Sequence, residues 1–105
     1  MSVRFTTSAL PDGVAVHLAG SIDRDAGQRM EAVRAAAEGA SVLELDFGAV
    51  DYINSSGIAL LVGLLMRMRV AGTAVRAIGL SPHYQHIFDI TRLSDVVEVV
   101  QPAEP

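Results

Sequence analysis

Val3, Phe5 and Thr7 alternate with polar neighbours, the period-two signature of a half-buried strand. Pro11-Asp12-Gly13 supplies turn chemistry, and residues 14–18 (Val-Ala-Val-His-Leu) follow as a second strand, so the pair is predicted to form an antiparallel hairpin. Gly20-Ser21-Ile22-Asp23 is expected to be a loop, with Asp23 placed to cap the element after it. From residue 24 to residue 38 the period becomes helical. Ala26, Met30, Val33 and Ala37 share one stripe, Arg29, Glu31, Arg34 and Glu38 lie off it, and Gly39 is a natural stop. Residues 42–47 read as a third strand, 56–71 as a second helix ended by Gly72, and Ala74–Ile78 as a fourth strand. Ser81-Pro82 opens a short third helix reaching residue 89, with Ser as N-cap and Pro at the first helical position. Residues 96–100 give a last strand.

The order ββαβαβαβ predicts an α/β fold: one domain over residues 1–105, its core at 3–100, with a mixed four- to five-stranded sheet and interleaved helices. Of the 105 residues, 50% are hydrophobic, enough for a real core and incompatible with intrinsic disorder. The net charge of −4 comes without any run of basic residues, which argues against a nucleic-acid partner. All basic residues are Arg and none is Lys, so Schiff-base chemistry and a phosphate loop with an essential Lys are excluded. With no Cys, thiol nucleophiles, disulfides and Cys-ligated zinc are excluded too. The N-terminal residues lack the basic-then-apolar order of a signal peptide, and the apolar run from Ile58 to Met66 is cut short by Arg67 and Arg69. A cytoplasmic location and no membrane partner are expected.

The segment with chemistry is Asp51-Tyr52-Ile53-Asn54-Ser55-Ser56-Gly57-Ile58, between the third strand and the second helix, where α/β sheets place binding sites. Asn54 or Ser55 can accept the first free helix N–H groups, and Gly57 lets another backbone come close. On physical grounds alone the plain reading, a well-capped helix, is preferred to a site. Residues 58–66 are apolar around most of the helix; either the third helix covers the excess or it is an exposed patch flanked by Arg67 and Arg69. His83 and His86 stand three apart on the third helix without a third ligand, so no metal or cofactor is expected, and His17 is read as a surface residue of its strand. Ser55 and Ser56 lack the glycine spacing of a nucleophile elbow, and the chain is read as no enzyme.

Three motifs in register, Gly20-Ser21-Ile22-Asp23, Asp51 to Leu61, and Leu80-Ser81-Pro82 with Ile87-Phe88-Asp89-Ile90, resemble the STAS family, and within it the stand-alone anti-sigma factor antagonists. The resemblance runs over residues 3–100. It implies a phosphoacceptor at Ser55 and an acidic loop residue at Asp23. It further implies a partner surface of Asp23, Asn54, Ser55, Ser56, Gly57 and Ile58, docking on an anti-sigma factor that is also a Ser/Thr kinase, with a phosphatase as a further partner. The family commonly has Asp where this chain has Asn54, which keeps the cap and the size but removes a charge. The resemblance also leaves open a STAS subunit of a lipid-transport ATP-binding-cassette system or a scaffold of a stress-sensing complex.

Overall fold

The opening hairpin forms as the turn chemistry demands: β1 (Arg4–Leu10) and β2 (Gly13–Ile22) run antiparallel in unbroken register from Arg4 opposite Ala19 to Leu10 opposite Gly13. The computed structural model describes residues 3–100. β2 then pairs in parallel with β3 (Val42–Ile53), β3 with β4 (Ala74–Ile78), and β4 with β5 (Glu98–Val99), so spatial order follows chain order. Each parallel step carries a helix: α1 (Gly27–Ala36), α2 (Ser55–Ala71) and α3 (Pro82–Ile90). Every crossover moves one strand in the same direction, and right-handed crossovers of that kind put all their helices on one face of the sheet.

Burial follows that geometry. On β3, Leu43, Leu45 and Phe47 are buried while Val42, Glu44 and Asp46, on the other face, stay half-exposed. The predicted α1 stripe of Ala26, Met30, Val33 and Ala37 is buried, and Phe88 anchors α3 edge-on against Phe47, ring centroids 6.0 Å apart. α2 is N-capped by Asn54 and stopped by Gly72, whose φ of 80° suits a residue without Cβ.

Several boundaries differ from those the sequence predicts. β2 continues to Ile22 and β3 to Ile53, so residues 20–22 and 48–53, expected to lie between elements, are strand, and α2 begins at Ser55 instead of 56. The two strands keep pairing past register shifts between His17 and Ala19 and between Gly20 and Ser21, and these irregularities mask the alternation in the sequence. A 3-10 turn, Arg24–Ala26, precedes α1. At the other end, strand is confined to Glu98–Val99, paired with Arg76 and Ala77 of β4, and Leu93–Asp95 form a 3-10 turn.

Candidate functional site

The site is set by the last residue pair of two parallel strands, Ile22 on β2 and Ile53 on β3. One residue later the Asn54 N–H donates to the Ile22 carbonyl (3.2 Å). Asn54 is extended, and its Oδ1 accepts the Gly57 N–H at 2.8 Å while its carbonyl accepts the Ile58 N–H at 2.9 Å. Asn54 is therefore the N-cap, and Ser55 and Ser56 are the first two residues of α2. Both serines are exposed, and helix geometry gives their N–H groups no intrahelical acceptor.

Gly57 is buried for a steric reason: a Cβ there would stand 2.0 Å from the Ile22 carbonyl oxygen. This close approach holds the start of α2 against the end of β2. Asp23 follows Ile22, and its Oδ1 accepts the Asp25 N–H at 2.9 Å, capping the 3-10 turn that leads into α1. Thus Asp23 and the residues Asn54, Ser55, Ser56, Gly57 and Ile58 are brought to one end of the sheet, with Ile58 half-buried against the core. Of the two capping candidates, Asn54 takes the role and Ser55 does not, which leaves the Ser55 hydroxyl free of a capping duty.

Two further residues of the site, Tyr84 and Tyr52, have no role assigned from the sequence. The Tyr84 hydroxyl, reaching from α3, accepts the Ile53 N–H at 2.8 Å and lies 3.4 Å from the Ile53 carbonyl, pinning the end of β3 just before the cap. Tyr84 is separated from Ile53 by 31 positions, and nothing local signals the contact. Tyr52, opposite Ser21 at the strand ends, exposes 56% of its surface beside Ile53 and Asn54. The aromatic residue inside the segment singled out in the sequence was the available signal, since exposed aromatics anchor interfaces.

α2 carries the surface away from the serines. Val62, Met66 and Val70, spaced by four, are 36%, 45% and 88% exposed. The excess apolar surface is thus not covered by α3; α2 lies beside α1 instead. Between the two helices runs a groove of about 380 Å³ lined by Met30, Leu60, Gly63 and Leu64, and bridged by the ion pair of Glu31 with Arg67. The Arg34 guanidinium, hydrogen-bonded to Glu31 at 2.7 Å, holds that carboxyl below its ordinary value, and Arg67 adds to the effect.

On the opposite sheet face Ser8 Oγ lies 3.2 Å from His17 Nε2, and His17 Nδ1 lies 3.1 Å from Asp46 Oδ2. Asp46 Oδ1 in turn accepts the Gly48 N–H at 2.8 Å. The trio ties three strands together across the sheet face that the helices leave uncovered. His83 and His86 are exposed on α3, and no cluster of three metal-ligating side chains occurs among the described residues. No helix among those residues is long and apolar enough to cross a membrane.

Comparison with known proteins adds the following. The family model described as "Mlab, STAS domain" matches residues 5–100. The chain is 34% identical over 58 residues to a protein named anti-sigma-B factor antagonist from Listeria monocytogenes, covering 55% of this chain and 51% of that protein. The chain spans about half the length of the curated relatives it matches. Among solved structures, an anti-sigma factor antagonist from Mycobacterium paratuberculosis superposes with a TM-score of 0.75 at 17% identity, over 95% of this chain and 86% of that one. The phosphorylated form of the Bacillus cell fate determinant SpoIIAA superposes with a TM-score of 0.69 at 20% identity, over 93% and 92% of the two chains. At these identities the structural likeness speaks for the fold.

Proposed function

The chain belongs to the STAS domain family, and we propose that it is an anti-sigma factor antagonist: it binds an anti-sigma factor Ser/Thr kinase, releases the sigma factor held there, and is switched off by phosphorylation at Ser55. The observation that carries this reading is the placement of Ser55, exposed as the first residue of α2 with the cap supplied by Asn54 and the Asp23 turn beside it. The names of the relatives support the same activity.

The switch follows from charge. A phosphate on Ser55 brings about −1.5 to −2 charges and three acceptor oxygens. It meets unpartnered N–H groups and the positive end of α2, so the domain stays folded. Against a docked partner the same charge is desolvated without a matching cation, which costs several kcal/mol and lowers affinity by orders of magnitude. The docking surface combines the Asp23 and Ser55 turns with exposed Tyr52 and the outer face of α2. On this reading the chain is a binding protein with no chemistry of its own, acting in the cytoplasm, with a phosphatase restoring the unmodified state.

Asn54 favours a second reading, in which the same surface docks without a switch, on a lipid-transport ATPase or in a stress-sensing scaffold, because Asn keeps the cap and lacks the carboxylate a kinase and its Mg²⁺ would meet.

One experiment separates them: phosphate incorporation from ATP by anti-sigma kinases of the same genome, read by mass spectrometry beside a calorimetric titration. Ser55→Ala abolishes incorporation and preserves binding, Ser56→Ala still accepts phosphate, and Asn54→Asp, which keeps the cap, speeds transfer. Full phosphorylation of Ser55→Ala, or unchanged binding after stoichiometric modification of Ser55, overturns the switch.

A further inference from the structure

The two edges of the sheet are treated differently. β5 is two residues long, and so short an edge offers little template for another strand. β1 is seven residues long, Arg4-Phe5-Thr6-Thr7-Ser8-Ala9-Leu10, and no strand among the described residues pairs with its outer side. It carries none of the usual protections: no Pro, no Lys, no bulge in its pairing with β2, and no charge beyond Arg4 at its end. Thr6, Thr7, Ser8 and Ala9 are all exposed.

We propose that β1 is an interaction edge whose occupant is β1 of a second copy of this chain, joined antiparallel about a two-fold axis at Thr7 to make one continuous sheet.

Hydrogen-bond parity fixes which groups are free. Leu10 and Gly13 close a two-residue hairpin, and the closing pair of such a hairpin exchanges hydrogen bonds. Counting back in steps of two, Ser8, Thr6 and Arg4 also point their main-chain groups at β2. Phe5, Thr7 and Ala9 point theirs outward. A two-fold at Thr7 sets Thr7 opposite Thr7 and Phe5 opposite Ala9, each as a hydrogen-bonded pair, for about six new main-chain bonds. Thr6 then stands opposite Ser8 and Arg4 opposite Leu10, so no like charges meet across the seam. The apolar stripe of α2 is less suited to a second copy, because an antiparallel α2 pair centred on Met66 gathers Arg67 and Arg69 of both chains.

A single strand pair buries less than the roughly 1,000 Å² of a stable interface, so association is weak, with dissociation constants on the order of hundreds of micromolar. The net charge of −4 on each copy opposes pairing at a distance, and added salt screens it and strengthens the dimer.

The test is sedimentation equilibrium of the full chain from about 10 µM to about 1 mM. The expected mass rises from 11.1 kDa toward twice that value, more steeply at high salt. Thr7→Pro removes an outward donor and no bond to β2, so it abolishes the rise while far-UV circular dichroism is unchanged. Amide hydrogen exchange of the unmodified chain gives the second readout, which does not depend on that variant folding. Protection at Phe5, Thr7 and Ala9 grows with concentration, while that at Thr6 and Ser8 is constant. A monomer across the whole range overturns the proposal, as does self-association that leaves the Phe5, Thr7 and Ala9 amides unprotected or survives in a folded Thr7→Pro protein.

Discussion

Gly57→Ala tests the contact on which the whole site rests. A methyl group at Gly57 would lie 2.0 Å from the Ile22 oxygen, 2.7 Å from its carbonyl carbon and 3.1 Å from its Cγ2. The first two are backbone atoms at the end of a paired strand, so they cannot swing away as a side chain does. Overpacking of this kind costs about 1–3 kcal/mol, here at the upper end, and Ala returns about 1 kcal/mol of helix propensity. The expected net loss is about 2 kcal/mol, which lowers a urea midpoint by about 1.5 M at an m-value ordinary for a small domain. Gly63→Ala is the internal control. Gly63 lies on the same helix, and a Cβ there meets nothing within 4 Å. It should stabilise by about 0.5–1 kcal/mol through propensity alone. Opposite signs for the two substitutions in parallel urea titrations are the expected result. If Gly57→Ala is neutral, or stabilises as Gly63→Ala does, α2 does not press on the end of β2 and the described juxtaposition of Asp23 with Ser55 fails.

Tyr84→Phe removes the acceptor of the Ile53 N–H and should cost about 1–2 kcal/mol while speeding amide exchange at Ile53; unchanged exchange there refutes the pinning role. Acidification should weaken the α1–α2 contact through Glu31. Its carboxyl sits below the ordinary 4.5 in the folded chain, first because of the Arg34 hydrogen bond. The unfolded chain therefore binds the proton at higher pH than the folded one. This contribution is complete above about pH 4.5 and is lost as pH falls through the lower folded value. Urea midpoints measured from neutral to acidic pH should fall less steeply in Glu31→Gln than in the unmodified chain, and parallel curves would count against the ion-pair bridge.

The parts of the molecule that depend on local chemistry were legible in the chain. The Pro11-Asp12-Gly13 turn, the α1 stripe, the Ser81-Pro82 helix start and the Gly72 stop each act within a few residues, and each formed as expected. So did the alternation of strands and helices, which with the handedness of crossovers suffices for a mixed sheet covered on one face. The capping segment at Asn54 was visible for the same reason, as was the need for a close backbone approach at Gly57.

What only the tertiary structure decided involves partners far apart in the chain. Ser21-Ile22 and Gly48 to Ile53 lie outside the strands predicted from the sequence, and are strand because each finds the other to pair with. Residues 96–100 have strand composition, yet only Glu98–Val99 are strand, meeting β4 at Arg76 and Ala77 after the Leu93–Asp95 turn. The bond from Tyr84 to Ile53, the Ser8–His17–Asp46 trio across three strands and the exposure of Val62, Met66 and Val70 depend on which surfaces meet. The choice of Asn54 over Ser55 as the cap belongs there too, since it depends on where the strand pairing with Ile22 stops. Propensity and capping act over a turn or two of chain and are written in the residues themselves. Pairing, burial and exposure are properties of neighbours in space, and the chain acquires those neighbours only by folding.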